Sequence, residues 1–165
     1  MVCDFVSLER LWASHNLLNC LPTQLSNLEN LKELFLHHNN LKEISLSLCK
    51  LPNLEILWLG NNNIERIPYE LQNLKYLKRL HLDNNLIVNF PDFLCSMSQL
   101  EIVYLNQNRL ENISREVAKM NSLRRLYLHN NRIRALPREL VDHMQKSDPN
   151  TPNTCLLYTS DAADE

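Results

Sequence analysis

Rings recur at a fixed interval along this chain: Trp12, Phe35, Trp58, His81, Tyr104 and Tyr127 stand 23 residues apart. Two further columns keep the same step on either side of them. One holds Arg10, Glu33, Ile56, Arg79, Ile102 and Arg125, and the other holds Ser14, His37, Gly60, Asp83, Asn106 and His129. Aromatic, Arg and His side chains aligned in a strip are the types from which interfaces build their strongest contacts. The chemistry on offer is therefore recognition. No nucleophile stands beside a base, no paired carboxylates stand out from the repeat, and the chain has one Gly, too few for a phosphate-cradling loop. Catalysis is not expected. Five of the six histidines (His15, His37, His38, His81 and His129) lie on the strip, but the repeat spreads them along it. A metal needs three or four donors converging on one point, so neither a metal site nor a cofactor is expected.

The elements that position these columns follow from the same period. Segments beginning at Leu8, Leu31, Leu54, Leu77, Leu100 and Leu123 align without insertion, giving units 8–30, 31–53, 54–76, 77–99, 100–122 and 123–145. Within each unit, apolar residues recur at positions 1, 4, 6, 11, 14, 18 and 21. Positions 3 to 7 alternate inward and outward, which predicts one short strand per unit. Because every coil turns the same way, the strands are expected to pair in parallel and to stack their Leu and Ile residues into one core. Neighbouring strands about 4.8 Å apart would make the ring column about 24 Å long.

Position 9 is Asn in all units: Asn16, Asn39, Asn62, Asn85, Asn108 and Asn131. An amide both donates and accepts, so these six are expected to form a ladder satisfying the backbone where the chain leaves the strand without Gly. Pro22, Pro68, Pro91 and Pro137 at position 15 stiffen the return leg. Ser45 and Ser114 replace that Pro, Ala13 replaces Leu, and His143 stands at an apolar position, departures expected to weaken the ends.

The pattern LxxLxLxxNxL, extended by LPxxLxxL, resembles the leucine-rich repeat over residues 8–145. At 23 residues per unit it looks most like the intracellular repeats of the Ras-suppressor, Ras-pathway scaffold and Scribble/Erbin kinds. The resemblance implies an α/β repeat solenoid, a right-handed horseshoe with a concave parallel sheet and irregular or short helical convex turns. It also implies a cytoplasmic scaffold that binds another protein, with small GTPases or phosphatase complexes as partners. The alternative function is a recognition module within a larger receptor or a multidomain kinase, GTPase or ubiquitin ligase.

The partner is expected on the outward strand positions, at Trp12, Phe35, His37, Trp58, Arg79, His81, Asp83, Tyr104, Asn106, Arg125, Tyr127 and His129. A competing account needs no ligand, because rings suit the middle of any exposed strand and pack on their cross-strand neighbours. Position 2 alternates in sign through Glu9, Lys32, Glu55, Lys78, Glu101 and Arg124, which predicts a salt ladder. Gly60 beside Trp58 predicts a notch open to a partner side chain or a local relief of packing. Charging of the imidazoles would weaken partner contact between pH 8 and 5.5.

The ends depart from the pattern. Val2 and Phe5 fall on return-leg positions of a preceding unit, so residues 1–7 read as the end of a repeat whose protein continues upstream. Residues 146–154 are a polar exit, after a short terminal helix in PRELVDHM. Residues 155–165, CLLYTSDAADE, resemble the translation of a tagmentation sequencing adapter and read as an artefact. Removing their Asp161, Asp164 and Glu165 lowers the acidic count from 19 to 16 against 17 basic residues, and the net charge moves from −2 to +1. Near-neutral charge of alternating sign gives little attraction to phosphate, so nucleic acid is not an expected partner, and no apolar run addresses a membrane. The five cysteines, Cys3, Cys20, Cys49, Cys95 and Cys155, form no CxxC pair and read as reduced, buried apolar fillers.

Overall fold

A computed structural model describes residues 5–146, with side-chain surroundings to residue 142. Val2, Cys3, the side chain of His143, residues 147–154 and the adapter-like 155–165 with Cys155 lie outside the described residues.

Six strands, β1 (Arg10–Trp12), β2 (Glu33–Phe35), β3 (Ile56–Trp58), β4 (Arg79–His81), β5 (Ile102–Tyr104) and β6 (Arg125–Tyr127), form one sheet in sequence order. Every neighbouring pair is parallel and in register at one unit, from Trp12↔Phe35 through Phe35↔Trp58 to Tyr104↔Tyr127. The result is an open solenoid. Its strands are shorter than the expected positions 3 to 7, yet coil-to-coil hydrogen bonds continue beyond them, as from Leu36 N to the Trp58 carbonyl at 2.8 Å and from His38 N to the Gly60 carbonyl at 3.0 Å.

The chain leaves each strand through a left-handed residue at position 8: His15, His38, Asn61, Asn84, Gln107 and Asn130 have φ between 50° and 56°. Asn tolerates that region, whereas His and Gln adopt it against a cost of roughly 1 kcal/mol. The turn is thus made one residue before the repeated Asn, and the Asn secures it. Asn62 shows the pattern. Its Oδ1 accepts from Leu41 N at 3.0 Å, while Nδ2 donates to the carbonyls of Leu36 and Leu59 at 3.0 Å each. Asn39, Asn85, Asn108 and Asn131 link coils in the same way. Asn16 differs: it is exposed, and among the described residues its side-chain amide donates only to the carbonyls of Ala13 and Ser14 in its own coil.

Return legs close with 3-10 turns at Thr23–Asn27, Leu48–Lys50, Tyr69–Asn73, Asp92–Ser96 and Arg115–Lys119. Pro22, Pro68 and Pro91 stand at the start of three of them. Where Pro is missing, Ser takes over its place with an acceptor. Ser114 Oγ accepts from Glu116 N at 3.2 Å and Ser45 Oγ from Leu48 N at 3.3 Å. Ser114 thus caps its turn, and Ser45 holds the first residue of its turn from outside it, so both replace Pro with a hydrogen bond. Helix α1 (Arg138–Lys146) follows Pro137 and buries Leu140.

The core is the expected set of positions, including Leu34, Leu57, Leu80, Val103 and Leu126, and Leu28, Leu51 and Leu74. Full burial of each Leu contributes about 1.5–3 kcal/mol. In the first unit Leu8, Leu11, Ala13, Leu18 and Leu21 are only partly buried. The cysteines divide: Cys49 is buried and Cys95 half-buried, but Cys20 is exposed and fills no core space. Burial pushes the Cys49 and Cys95 thiols up to about 11, so neither is a thiolate near neutral pH.

Candidate protein-binding surface

Parallel register places the ring column on one face of the sheet, and the rings touch in an unbroken series. Centroids are 5.6 Å apart for Trp12–Phe35 and for Phe35–Trp58, then 4.5 Å for Trp58–His81. Beyond His81 the rings stack, with His81–Tyr104 at 4.2 Å and 17° and Tyr104–Tyr127 at 4.3 Å and 5°. Trp12 is 74% exposed. The other five are half-buried, each covered by its neighbours.

That cover decides the state of the imidazoles. Burial, aided by Arg79 and then His37, pushes His81 down to about 4, and burial with His15 and His38 lowers His37. His81 therefore stays neutral through the interval from pH 8 to 5.5, and the expected loss of partner contact in that window does not come from it, while His37 takes up a proton less readily than a free imidazole.

His15 and His38 do meet, but face to face, with centroids 4.2 Å apart and planes at 16°. Stacked rings do not aim their nitrogens at a common point. Among the described residues no group of three or more His, Cys, Asp and Glu side chains is arranged to hold a metal ion.

Gly60 is buried, and its notch is filled from within. A Cβ there would lie 2.7 Å from Asp83 Oδ1 and 2.8 Å from Oδ2. Asp83 comes from the next coil, and burial raises its carboxyl above the usual range, against the backbone bond and the His37 and His38 charges that lower it. Of the two readings of Gly60, a notch open to a partner and a local relief of packing, the close approach of this carboxylate fits the second.

The charged columns resolve into discrete pairs. Lys32 bridges Glu9 at 3.1 Å, Lys78 bridges Glu55 at 2.7 Å, Arg124 approaches Glu101 at 3.9 Å, and Arg10 bridges Glu33 at 3.2 Å. Such exposed pairs stabilise by about 0–1 kcal/mol each. Arg79 and Arg125 are exposed and make no ion pair among the described residues. The position 7 column carries a different kind of unused valence. His37 Nδ1, Asn106 Oδ1 and His129 Nδ1 are buried polar atoms without a hydrogen-bond partner.

One ring pair lies away from the strip. Tyr69 and Phe93, on adjacent return legs, meet edge to face at 5.5 Å, and Tyr69 is 64% exposed. The sequence signal was a ring directly after Pro68, outside the strand positions to which function had been confined.

The family model described as "Leucine Rich repeats (2 copies)" matches residues 29–72 and 52–96, and "Leucine rich repeat" matches residues 75–133 and 98–146. No curated protein sequence matches the chain significantly. Among solved structures it is similar to the internalin InlF of Listeria monocytogenes, at 25% identity and a TM-score of 0.78, with 99% of this chain and 44% of that one covered. It is also similar to a leucine-rich repeat protein of Leptospira interrogans, at 27% identity and a TM-score of 0.71, with 87% and 43% covered. The chain thus spans less than half the length of either. With the repeat period, the parallel sheet and the cross-coil Asn bonds, these matches establish that the chain belongs to the leucine-rich repeat proteins, whose solenoids generally serve as non-enzymatic protein-interaction modules.

Proposed function

We propose that this chain is a non-catalytic scaffold that holds another protein against its strand face, along the ring column from Trp12 to Tyr127 and the flanking position 3 and 7 columns. The observation that carries this reading is the unbroken ring column on one face of the sheet, which runs from Trp12, 74% exposed, through rings 4.2 to 5.6 Å apart to Tyr127. Three buried polar side-chain atoms of the neighbouring position 7 column, on His37, Asn106 and His129, have no partner among the described residues. Such groups left unpaired cost about 1–3 kcal/mol each. The ring column beside them supplies the apolar contact from which interface hot spots are built.

The 23-residue unit and the LPxxL return leg favour the intracellular Ras-suppressor and Scribble-like type, hence a cytoplasmic site of action and small GTPases or phosphatase complexes as partners. The second reading is a recognition module within a larger receptor or a multidomain kinase, GTPase or ubiquitin ligase; the two structural neighbours, of which the chain covers 44% and 43%, are themselves longer.

Affinity capture from cytosol with the immobilised chain tests the scaffold. Trp58→Ala combined with Tyr104→Ala should remove the captured proteins that mass spectrometry identifies, while the melting temperature falls by a few degrees at most. Capture of the same set by the double variant would reject the strand face and turn attention to Tyr69 and Phe93.

A further inference from the structure

We infer that coils four to six form a subsite for an acidic, proline-rich segment in the polyproline II conformation, with two carboxylates three residues apart meeting Arg79 and Arg125. The inference rests on the proposed strand-face reading and deepens it by stating the partner's chemistry.

The charge bookkeeping singles out these two residues. Of the six cations in the position 2 and 3 columns, Arg10, Lys32, Lys78 and Arg124 each approach a carboxylate on an adjacent coil. Arg79 and Arg125 do not, among the described residues, and both are exposed. The register sets them on alternate strands with Ile102 between, Arg79↔Ile102 and Ile102↔Arg125. Two steps of about 4.8 Å separate their positions by about 9.6 Å. A single phosphate would need donors converging on one point, whereas two cations this far apart with an apolar residue between them match two separate monoanions.

Chain geometry selects the conformation. In an extended strand, side chains three apart point to opposite faces, so both cannot reach the sheet. In polyproline II they return to the same face after one turn, about 9.3 Å on. That rise matches the spacing of the two Arg residues. Alongside the same three coils run His81, Tyr104 and Tyr127, stacked at 4.2 and 4.3 Å, a half-buried aromatic row of the kind against which proline-rich segments dock. Polyproline II forms no internal hydrogen bonds and is largely preordered, so docking it costs little chain entropy.

The probe is a fluorescently labelled synthetic peptide with a Glu-Pro-Pro-Glu core, titrated with the whole chain at low salt and followed by anisotropy. Saturable binding is expected, weakened about fivefold by either Arg79→Gln or Arg125→Gln and further by both, in line with one exposed ion pair apiece. Circular dichroism melts should match the wild type, since neither side chain is buried. A Gln-Pro-Pro-Gln peptide and a Glu-Pro-Glu peptide of wrong spacing should bind several-fold more weakly. No saturable binding, equal binding of the Gln peptide, indifference to both substitutions, or displacement by a single-stranded oligonucleotide at equal concentration would each overturn the inference. Should Trp58→Ala with Tyr104→Ala still abolish partner capture while the peptide fails, the strand-face reading stands and only the acidic segment is lost.

Discussion

The carboxylate of Asp83 lies where a β-carbon on Gly60 would have to be, with Oδ1 2.7 Å from that position. The only glycine of the chain has no positive φ, so it is required by this approach from the next coil and not by the backbone. Gly60→Ala is expected to destabilise by about 1 kcal/mol through overpacking. In an Asp83→Ala background the same change should become stabilising by about 0.5 kcal/mol, the usual gain from a stiffer unfolded chain. A double-mutant cycle by urea denaturation checks the sign reversal, and additive effects would show that the two residues do not meet.

Asp83 also sets a pH dependence. Burial raises its folded-state value, so the ionised carboxylate opposes folding above that value, and the penalty vanishes below the unfolded value near 4. Asp83→Asn should therefore be more stable than the wild type at pH 7 and equal to it near pH 3. Melting temperatures at the two pH values decide the matter.

His81 acts in the opposite pH direction. Its folded value is near 4 while the unfolded ring titrates near 6.5, so the unfolded chain binds the proton first as pH falls. Stability is full above about 6.5 and should decline toward pH 4 by on the order of 2 kcal/mol, allowing for the ring's part exposure. His81→Tyr, which continues the stack with Tyr104, should lose less over that interval. Unfolding free energies from denaturant titrations at pH 7 and 4.5 check this, and equal losses in the two proteins would show that the ring charges freely.

The cross-coil amides should be unequal. Asn85 accepts from Ile64 N at 2.9 Å and donates to the Leu59 and Leu82 carbonyls, all buried. Asn85→Ala leaves those groups unpaired and should cost about 3 kcal/mol. Asn16→Ala, at an exposed side chain that among the described residues bonds only within its coil, should cost under about 1 kcal/mol.

At the corner before each of these amides, shape matters more than exposure. Asn130 is exposed with φ 56°, where a β-branched side chain is strained. Asn130→Val should cost about 1–2 kcal/mol and Asn130→Gly little, as read from thermal melts.

By itself the sequence determined the architecture. Six copies of one pattern fix which side chains point inward, because each coil repeats the same register and identical positions must stack; Leu34, Leu57 and Leu80 could be assigned to the core from spacing alone. The ring column was legible for the same reason. What tertiary structure decided are relations between different residues at equivalent or neighbouring positions, which a repeat pattern averages away. Position 8 is polar in every unit, His, His, Asn, Asn, Gln and Asn, yet only the three-dimensional path shows that it takes the left-handed turn. Gly60 read equally as an opening or as a relief of packing, and only the approach of Asp83, 23 residues on, decides for the second. The alternating charges of position 2 pair as their spacing predicts, but only bridging distances show that Arg10 of position 3 is paired as well and that Arg79 and Arg125 of the same column make no ion pair among the described residues. Each of these depends on distances of a few ångströms between side chains on adjacent coils, a scale set by packing rather than by order along the chain.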